Sequence, residues 1–96
     1  DLKDIDWHLH IFRILQELIN NSMRHGKASK ISIVFKEING QNGCVYADNG
    51  IGFDTNASFN SNGLGMKNIE SRVGFLNGKL TVDSKINNGT VVTFTF

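Results

Sequence analysis

A two-layer α/β domain, with one sheet covered on one face by two helices, is predicted by the order of elements along the chain: helix, two strands, helix, two strands. Apolar residues recur at three- and four-residue steps over residues 7–23 and again over 66–76, the period of a helix with one core-facing stripe. Apolar runs with strand character occupy residues 29–37, 44–47, 79–86 and 90–96, each pair joined by a turn rich in Asn and Gly. No Pro, internal repeat or linker interrupts the chain, so residues 1–96 read as one domain, large enough for a single core but not two.

Residues 1–6 offer Asp6 as an N-cap for a helix that begins at Trp7. Leu9, Phe12, Leu15, Leu18, Ile19, Ser22 and Met23 form its apolar stripe, and Gly26 supplies the stop. Ile31, Ile33 and Phe35 alternate with polar neighbours, which predicts a first strand with one buried face. Asn39-Gly40-Gln41-Asn42-Gly43 reads as the turn into a short strand over residues 44–47, antiparallel to the first because the connection is hairpin length. Residues 54–62 are rich in Asn, Ser and Thr and read as a mobile loop. Met66, Ile69, Val73 and Leu76 mark the second helix, ending near Asn77-Gly78, and Asn87-Asn88-Gly89 joins the last two strands.

Ten Lys plus Arg against nine Asp plus Glu leave a formal charge of +1, which argues against a charge-driven grip on nucleic acid or on a membrane surface. Any anionic ligand has to be held by local geometry. The single cysteine, Cys44, rules out an intrachain disulfide and a cysteine-based zinc site; it reads as a small buried hydrophobe and suits a reducing compartment. No apolar run approaches the roughly 20 residues of a membrane span, and no signal peptide opens the chain. The missing initiator Met suggests a piece of a longer protein, whose other parts are free to include membrane spans.

Four groups of residues could carry chemistry. Glu17 and Asn21 are four apart and project from one helix face, where an acid and an amide share an ion or a water, or simply form a solvated face. Asp48, at a strand end in Asp-Asn-Gly, either makes an Asx-type turn or accepts a hydrogen bond from an exocyclic amine such as that of adenine. Gly50 and Gly52 permit a sharp bend and the close approach of a flat ring. Gly63 and Gly65 precede the second helix, where free backbone N–H groups hold phosphate oxygens or a flexible loop ends. The pattern is neither a Walker loop nor a dinucleotide fingerprint.

Lys67, Lys27 and Arg24 are phosphate partners or solvated cations, and His25 either complements the helix dipole or lines a pocket beside Asn21. His8 and His10 read as exposed, and their two-residue spacing puts them on different helix faces, unsuited to sharing a metal. The Asn21 carbonyl with phosphate oxygens and waters suits Mg2+, which needs few protein ligands. No Gly-x-Ser-x-Gly is present to place a serine nucleophile.

Glu17-x-x-x-Asn21, Asp48-x-Gly50-x-Gly52, Gly63-x-Gly65 and Gly89-Thr90 resemble, in order and spacing, the asparagine box and the three glycine boxes of GHKL ATPases. Gln16-Glu17, Arg24-His25, Asp-Asn-Gly-x-Gly-Phe and Gly-Leu-Gly-Met-x-Asn-Ile look most like the ATP-binding domain of bacterial two-component sensor histidine kinases, in the subfamily that pairs with LuxR-type response regulators. The resemblance runs from about Phe12 to Phe96. It implies the Bergerat ATP-binding fold, an α/β sandwich with a mixed, mainly antiparallel sheet and helices on one face. By position it also implies that Asn21 coordinates Mg2+, that Asp48 binds the adenine amine and that Gly52 gives the ring room. Gly63, Leu64 and Gly65 would border the phosphates, Thr90 would hold water near Asp48, and Arg24, His25 and Gly50 would complete the nucleotide set. Glu17 takes the catalytic position, as base or as organiser of the metal's water shell.

The same resemblance implies a cytoplasmic domain without direct membrane or nucleic-acid contact. Its γ-phosphoryl acceptor would be a histidine on the dimerisation domain of the same parent, with a response regulator downstream. No phosphoacceptor box is present, and His8 lies about 20 Å from Asn21 along the helix. The segment between Phe53 and Gly63 is short, which implies a small nucleotide lid. The chain by itself is therefore expected to bind ATP and Mg2+ but to transfer phosphoryl groups poorly. The rival readings are an anti-sigma-type serine kinase and a degenerate module kept for nucleotide or protein contact.

Overall fold

The computed structural model describes residues 2–52 and 66–96, with side chains from residue 7 onward. Helix α1 spans Leu2–Arg24, strands β1 and β2 Ile31–Ile38 and Gln41–Asp48, helix α2 Met66–Phe75, and strands β3 and β4 Leu80–Ser84 and Thr90–Thr95. The strands form one sheet in the order β1-β2-β4-β3. All three pairings are antiparallel, so the described sheet lacks the parallel pair implied by a mixed one.

Helix α1 starts well before Trp7, so Asp6 lies within it and is not its N-cap. No Gly or Pro interrupts residues 2–24, and Asp is only a mediocre helix former, not a breaker. The apolar stripe expected on this helix divides into two. Ile11, Ile14, Leu18 and Ser22 face the core, whereas Phe12 is 58% and Met23 67% exposed, and Leu9 is exposed as well. Ile11 and Ile14 displace Leu9 and Phe12 because the residues that pack are those aimed at the sheet.

Cross-strand register sorts the sheet's covered face into rows, since directly paired residues point the same way. One row is Phe35, Cys44, Phe94 and Leu80, and the next is Ile33, Tyr46, Val92 and Val82. Their middle members on β2 and β4 are fully buried against Ile11, Ile14 and Leu18 of α1 and Met66, Ile69 and Val73 of α2. Complete burial of a side chain such as Ile14 is worth about 1.5–3 kcal/mol. The face expected to be buried on β1 is not: Ile31, Ile33 and Phe35 have the predicted alternation but are 37–56% exposed, because β1 is an edge strand beyond the reach of the two described helices.

The first hairpin turns on two residues, not five. Ile38 pairs with Gln41, leaving Asn39 and Gly40 at φ 51° and 83°, the left-handed pair favoured by the right-handed twist of a hairpin. Helix α1 ends differently from expectation too. Lys27 takes the left-handed conformation with φ 50°, while Gly26 N and Ala28 N close on the carbonyls of Asn21 and Ser22. At the end of α2 the left-handed residue is Asn77, and Gly78 N bonds back to Val73 O at 3.0 Å, as in a Schellman closure.

Two glycines near that closure should respond oppositely to alanine. A Cβ on Gly78 would overlap the Thr95 carbonyl, whereas one on Gly74 meets nothing within 4 Å. Urea unfolding should show Gly78→Ala losing about 2 kcal/mol or more, and Gly74→Ala gaining about 0.5–1 kcal/mol from helix propensity. Equal effects would contradict this packing.

Cys44 is buried as expected, and desolvation pushes its thiol from 9.0 up to about 11. The folded state thus holds the proton that the unfolded state releases, so stability is intact below pH 9 and falls as pH rises toward 11. Chemical denaturation across this range should show that decline, and Cys44→Ala should flatten its first part.

Candidate functional site

The third row of the covered face is where both layers stop being apolar. Asp48 pairs with Thr90, and Thr90 with Ser84, one step beyond Tyr46, Val92 and Val82. On α1 the core-facing series Ile11, Ile14, Leu18 continues with Ser22, which is 2% exposed. Polar residues therefore meet polar residues at one end of the interlayer space. They bond directly: Ser22 Oγ donates to Asp48 Oδ2 at 2.6 Å and lies 2.5 Å from Tyr46 OH, which also reaches Leu18 O at 3.0 Å. Asp48 Oδ1 accepts from Gly50 N at 2.9 Å, so both carboxylate oxygens are engaged. Burial raises the Tyr46 phenol above 10.0; the hydrogen bond with Ser22 opposes this and the negative charge of Asp48 adds to it.

The segment that leaves Asp48 is fastened to the end of α1 and the chain after it. Asn49 Oδ1 accepts from Ser29 N and Lys30 N, both at 2.9 Å, and Asn49 Nδ2 donates to Ser29 Oγ. Ile51 N donates to Gly26 O at 2.8 Å, and Ile51 O accepts from Asn87 N. The glycines here serve close packing within the chain. A Cβ on Gly50 would overlap Gly26 O, one on Gly52 would overlap Lys85 O, and one on Gly89 would overlap Asp48 O. Gly52 and Gly89 also sit at φ 66° and 74°.

Asn21 precedes Ser22 and so belongs to the same corner, half-buried, with its backbone carbonyl taken by His25 N and Gly26 N. Glu17 is one turn earlier on the unbroken helix and also half-buried. Arg24, His25 and Lys27 are exposed around the same helix end, and Lys67 is exposed in the first turn of α2. Thr90 stands beside Asp48 with its hydroxyl 2.8 Å from Ser84 Oγ, which also reaches Gly89 O. Gly63, Leu64, Gly65 and the loop expected over residues 54–62 lie outside the described residues. His10 departs from expectation: it is half-buried, its ring 4.2 Å from that of Phe75 and its Nδ1 3.2 Å from the Arg72 guanidinium.

Among the described residues no group of three or more His, Cys, Asp or Glu side chains could hold a metal on its own. No helix among the described residues is long and apolar enough to cross a membrane. Sequence reading assigned no site role to Ser22, Tyr46, Asn49 or Ser84. For Ser22 the signal was present: a hydroxyl four residues beyond Leu18 on a core-facing stripe, adjacent to Asn21. Tyr46 stands two residues before Asp48 on the same sheet face, which is legible once the strand is granted.

Comparison with known proteins agrees with this layout. Over 87 residues the chain is 31% identical to the sensor histidine kinase ComP of Bacillus subtilis, covering 90% of this chain and 11% of that protein. It is 33% identical over 82 residues to the signal transduction histidine-protein kinase/phosphatase DegS of Brevibacillus brevis, covering 85% and 21% respectively. With the sensor histidine kinase MctS of Rhizobium johnstonii it shares 34% identity over 85 residues, covering 86% and 18%. The chain thus spans between 11% and 21% of the length of these relatives. In structure it is similar to the histidine kinase domain of the Erythrobacter litoralis EL346 blue-light activated histidine kinase, with a TM-score of 0.80 at 19% identity over 96% of this chain and 45% of that one. Residues 8–96 match the family described as histidine kinase-, DNA gyrase B- and HSP90-like ATPases (HATPase_c), and the chain belongs to that family, as a domain homologous to the catalytic ATP-binding domains of sensor histidine kinases.

Proposed function

We propose that the chain binds Mg-ATP at the polar end of the interlayer space and presents its γ-phosphoryl group to a histidine on a separate dimerisation domain of the same parent protein. The observation that carries this reading is the carboxylate of Asp48, held through both oxygens where the core turns polar. With the base amine donating to Asp48, the phosphates would lie toward Asn21 and the N-terminus of α2. Asn21 then offers its side-chain carbonyl to Mg2+, and Glu17 organises the surrounding water or polarises the attacking group. When bound, the metal neutralises phosphate charge. The chain's own part is orientation and water exclusion, which suffices for phosphoryl transfer once an acceptor is brought in line.

The acceptor is assigned to another domain because none of the three histidines suits it. His8 is far along α1, His10 is packed on Phe75 and Arg72, and His25 belongs to the nucleotide corner. A response regulator would receive the phosphoryl group afterwards; one of LuxR type matches the sequence details around Asn21 and Met66. The relatives named above are sensor histidine kinases, which favours histidine over serine as the acceptor residue.

Thermal unfolding with Mg2+ and ATP tests the reading. Nucleotide at a hundred times its dissociation constant stabilises the native state by about 2.7 kcal/mol, a rise in Tm of roughly 10 °C or more for a domain of this size. Asp48→Asn should abolish the rise, since the amide presents N–H where the base amine needs an acceptor. No rise in the unmutated chain at millimolar nucleotide would sink the proposal.

The metal assignment has its own check. Adding Mg2+ at fixed ATP should raise the Tm of the unmutated chain further, and Asn21→Ala should lose that increment while keeping the response to metal-free ATP. An increment of the same size in Asn21→Ala would place the metal elsewhere.

A further inference from the structure

The geometry points to Ser22, supported by Tyr46, as the positioning residue that makes Asp48 select a 6-amino purine over a purine lacking the amine. This rests on the nucleotide reading of Asp48 given above and adds to it the source of base discrimination.

A carboxylate reads an amine sharply only if its free lone pairs point in fixed directions. Asp48 is fixed by two bonds to different oxygens, Gly50 N to Oδ1 at 2.9 Å and Ser22 Oγ to Oδ2 at 2.6 Å, which together set the rotation of the planar group. The serine bond is short in the manner of a hydroxyl donating to a charged oxygen. Ser22 gives its single proton to Asp48, because a carboxylate only accepts. Its own orientation then depends on an O–H donor, and Tyr46 OH, 2.5 Å away, takes that part when its single proton points to Ser22 Oγ rather than to Leu18 O, 3.0 Å away on its other side.

Nothing in the packing asks for a hydroxyl at this place. Ser22 follows Ile11, Ile14 and Leu18 on the core face and is 2% exposed, so a methyl group would fill the position without the desolvation cost of a polar atom. The hydroxyl is warranted by what it holds. At 2% exposure there is little room for water to take its part, so its removal leaves Asp48 Oδ2 free to turn away from the base.

A site built to receive a hydrogen bond discriminates against a ligand that cannot make it, because the buried acceptor is then left unpaired. The test is calorimetric titration of the 96-residue chain with ATP and with purine riboside 5′-triphosphate, which carries hydrogen in place of the 6-amino group, both with Mg2+. The unmutated chain should prefer ATP by about tenfold or more, the range expected for one hydrogen bond to a charged group. Ser22→Ala should reduce the preference to about threefold or less by weakening ATP alone, with the amine-free nucleotide held within about twofold. Tyr46→Phe should lower it in the same direction by a smaller factor. Because each preference is a ratio within one variant, it is independent of the folded fraction, and Tyr46→Phe decides the matter if Ser22→Ala does not fold. An unchanged ratio, or equal weakening of both nucleotides, assigns the hydroxyls a structural role only and overturns the proposal. If neither nucleotide binds the unmutated chain, the nucleotide reading falls and the positioning role with it.

Discussion

The hydrogen bond from Ser22 to Asp48 joins the two layers of this protein at the point where hydrophobic packing gives out. Over the first two rows of the sheet the layers are held mainly by apolar burial, with Cys44, Tyr46, Val92 and Phe94 pressed against α1 and α2, and the Tyr46 hydroxyl reaches across to Leu18 O and Ser22 Oγ. In the third row Asp48 and Thr90 replace apolar side chains, and the opposing helix position is a serine. A charged group at such an edge is tolerated only when its oxygens are bonded, and both are. Once Asp48 is fixed there, the segment after it has to run back across the end of α1. Asn49 and Ile51 hold it in place through Ser29, Lys30 and Gly26.

That return path explains the crowding of glycines around the carboxylate. Gly26, Gly50, Gly52 and Gly89 are places where one stretch of backbone touches another. Gly50 and Gly52 are expected to permit a sharp bend and the approach of a flat ring; the side on which a Cβ would stand is closed by the carbonyls of Gly26 and Lys85. The two roles are compatible, since a backbone pressed tightly against its neighbours on one side forms a firm wall on the other. The same crowding holds the strand end in place, and the bonds from Ser22 and Gly50 then hold the Asp48 carboxylate.

A different tension runs along the flank of α1 beside its buried stripe. Phe12, Leu15, Ile19 and Met23 form a second apolar stripe, facing the uncovered Ile33 of β1 across a groove of about 690 Å3. Both stripes have helical period, and periodicity by itself ranks neither above the other. The one aimed at the paired central strands is buried, and the other borders the edge strand.

How much was legible follows from the range of each signal. Helix and strand periods, the Asn-Gly turn and the stop at Asn77-Gly78 are local properties of consecutive residues, and from them the sequence by itself determined the order of elements, the two-layer class and the presence of Asp48 at a strand end next to a glycine-rich segment. The order and spacing of Glu17-x-x-x-Asn21, Asp48-x-Gly50-x-Gly52, Gly63-x-Gly65 and Gly89-Thr90 likewise determined the family, because they lie in the sequence itself. The sequence did not determine which of two helix stripes is buried, that β1 would be an open edge, or that Lys27 rather than Gly26 would turn left-handed. Nor did it show that Ser22 and Tyr46, 26 and two positions before Asp48, converge on its carboxylate. Those outcomes depend on cross-strand register and on how a helix lies over a sheet. Only the tertiary structure brings together groups that are remote in the chain, and only there does burial decide which polar atoms must be paired.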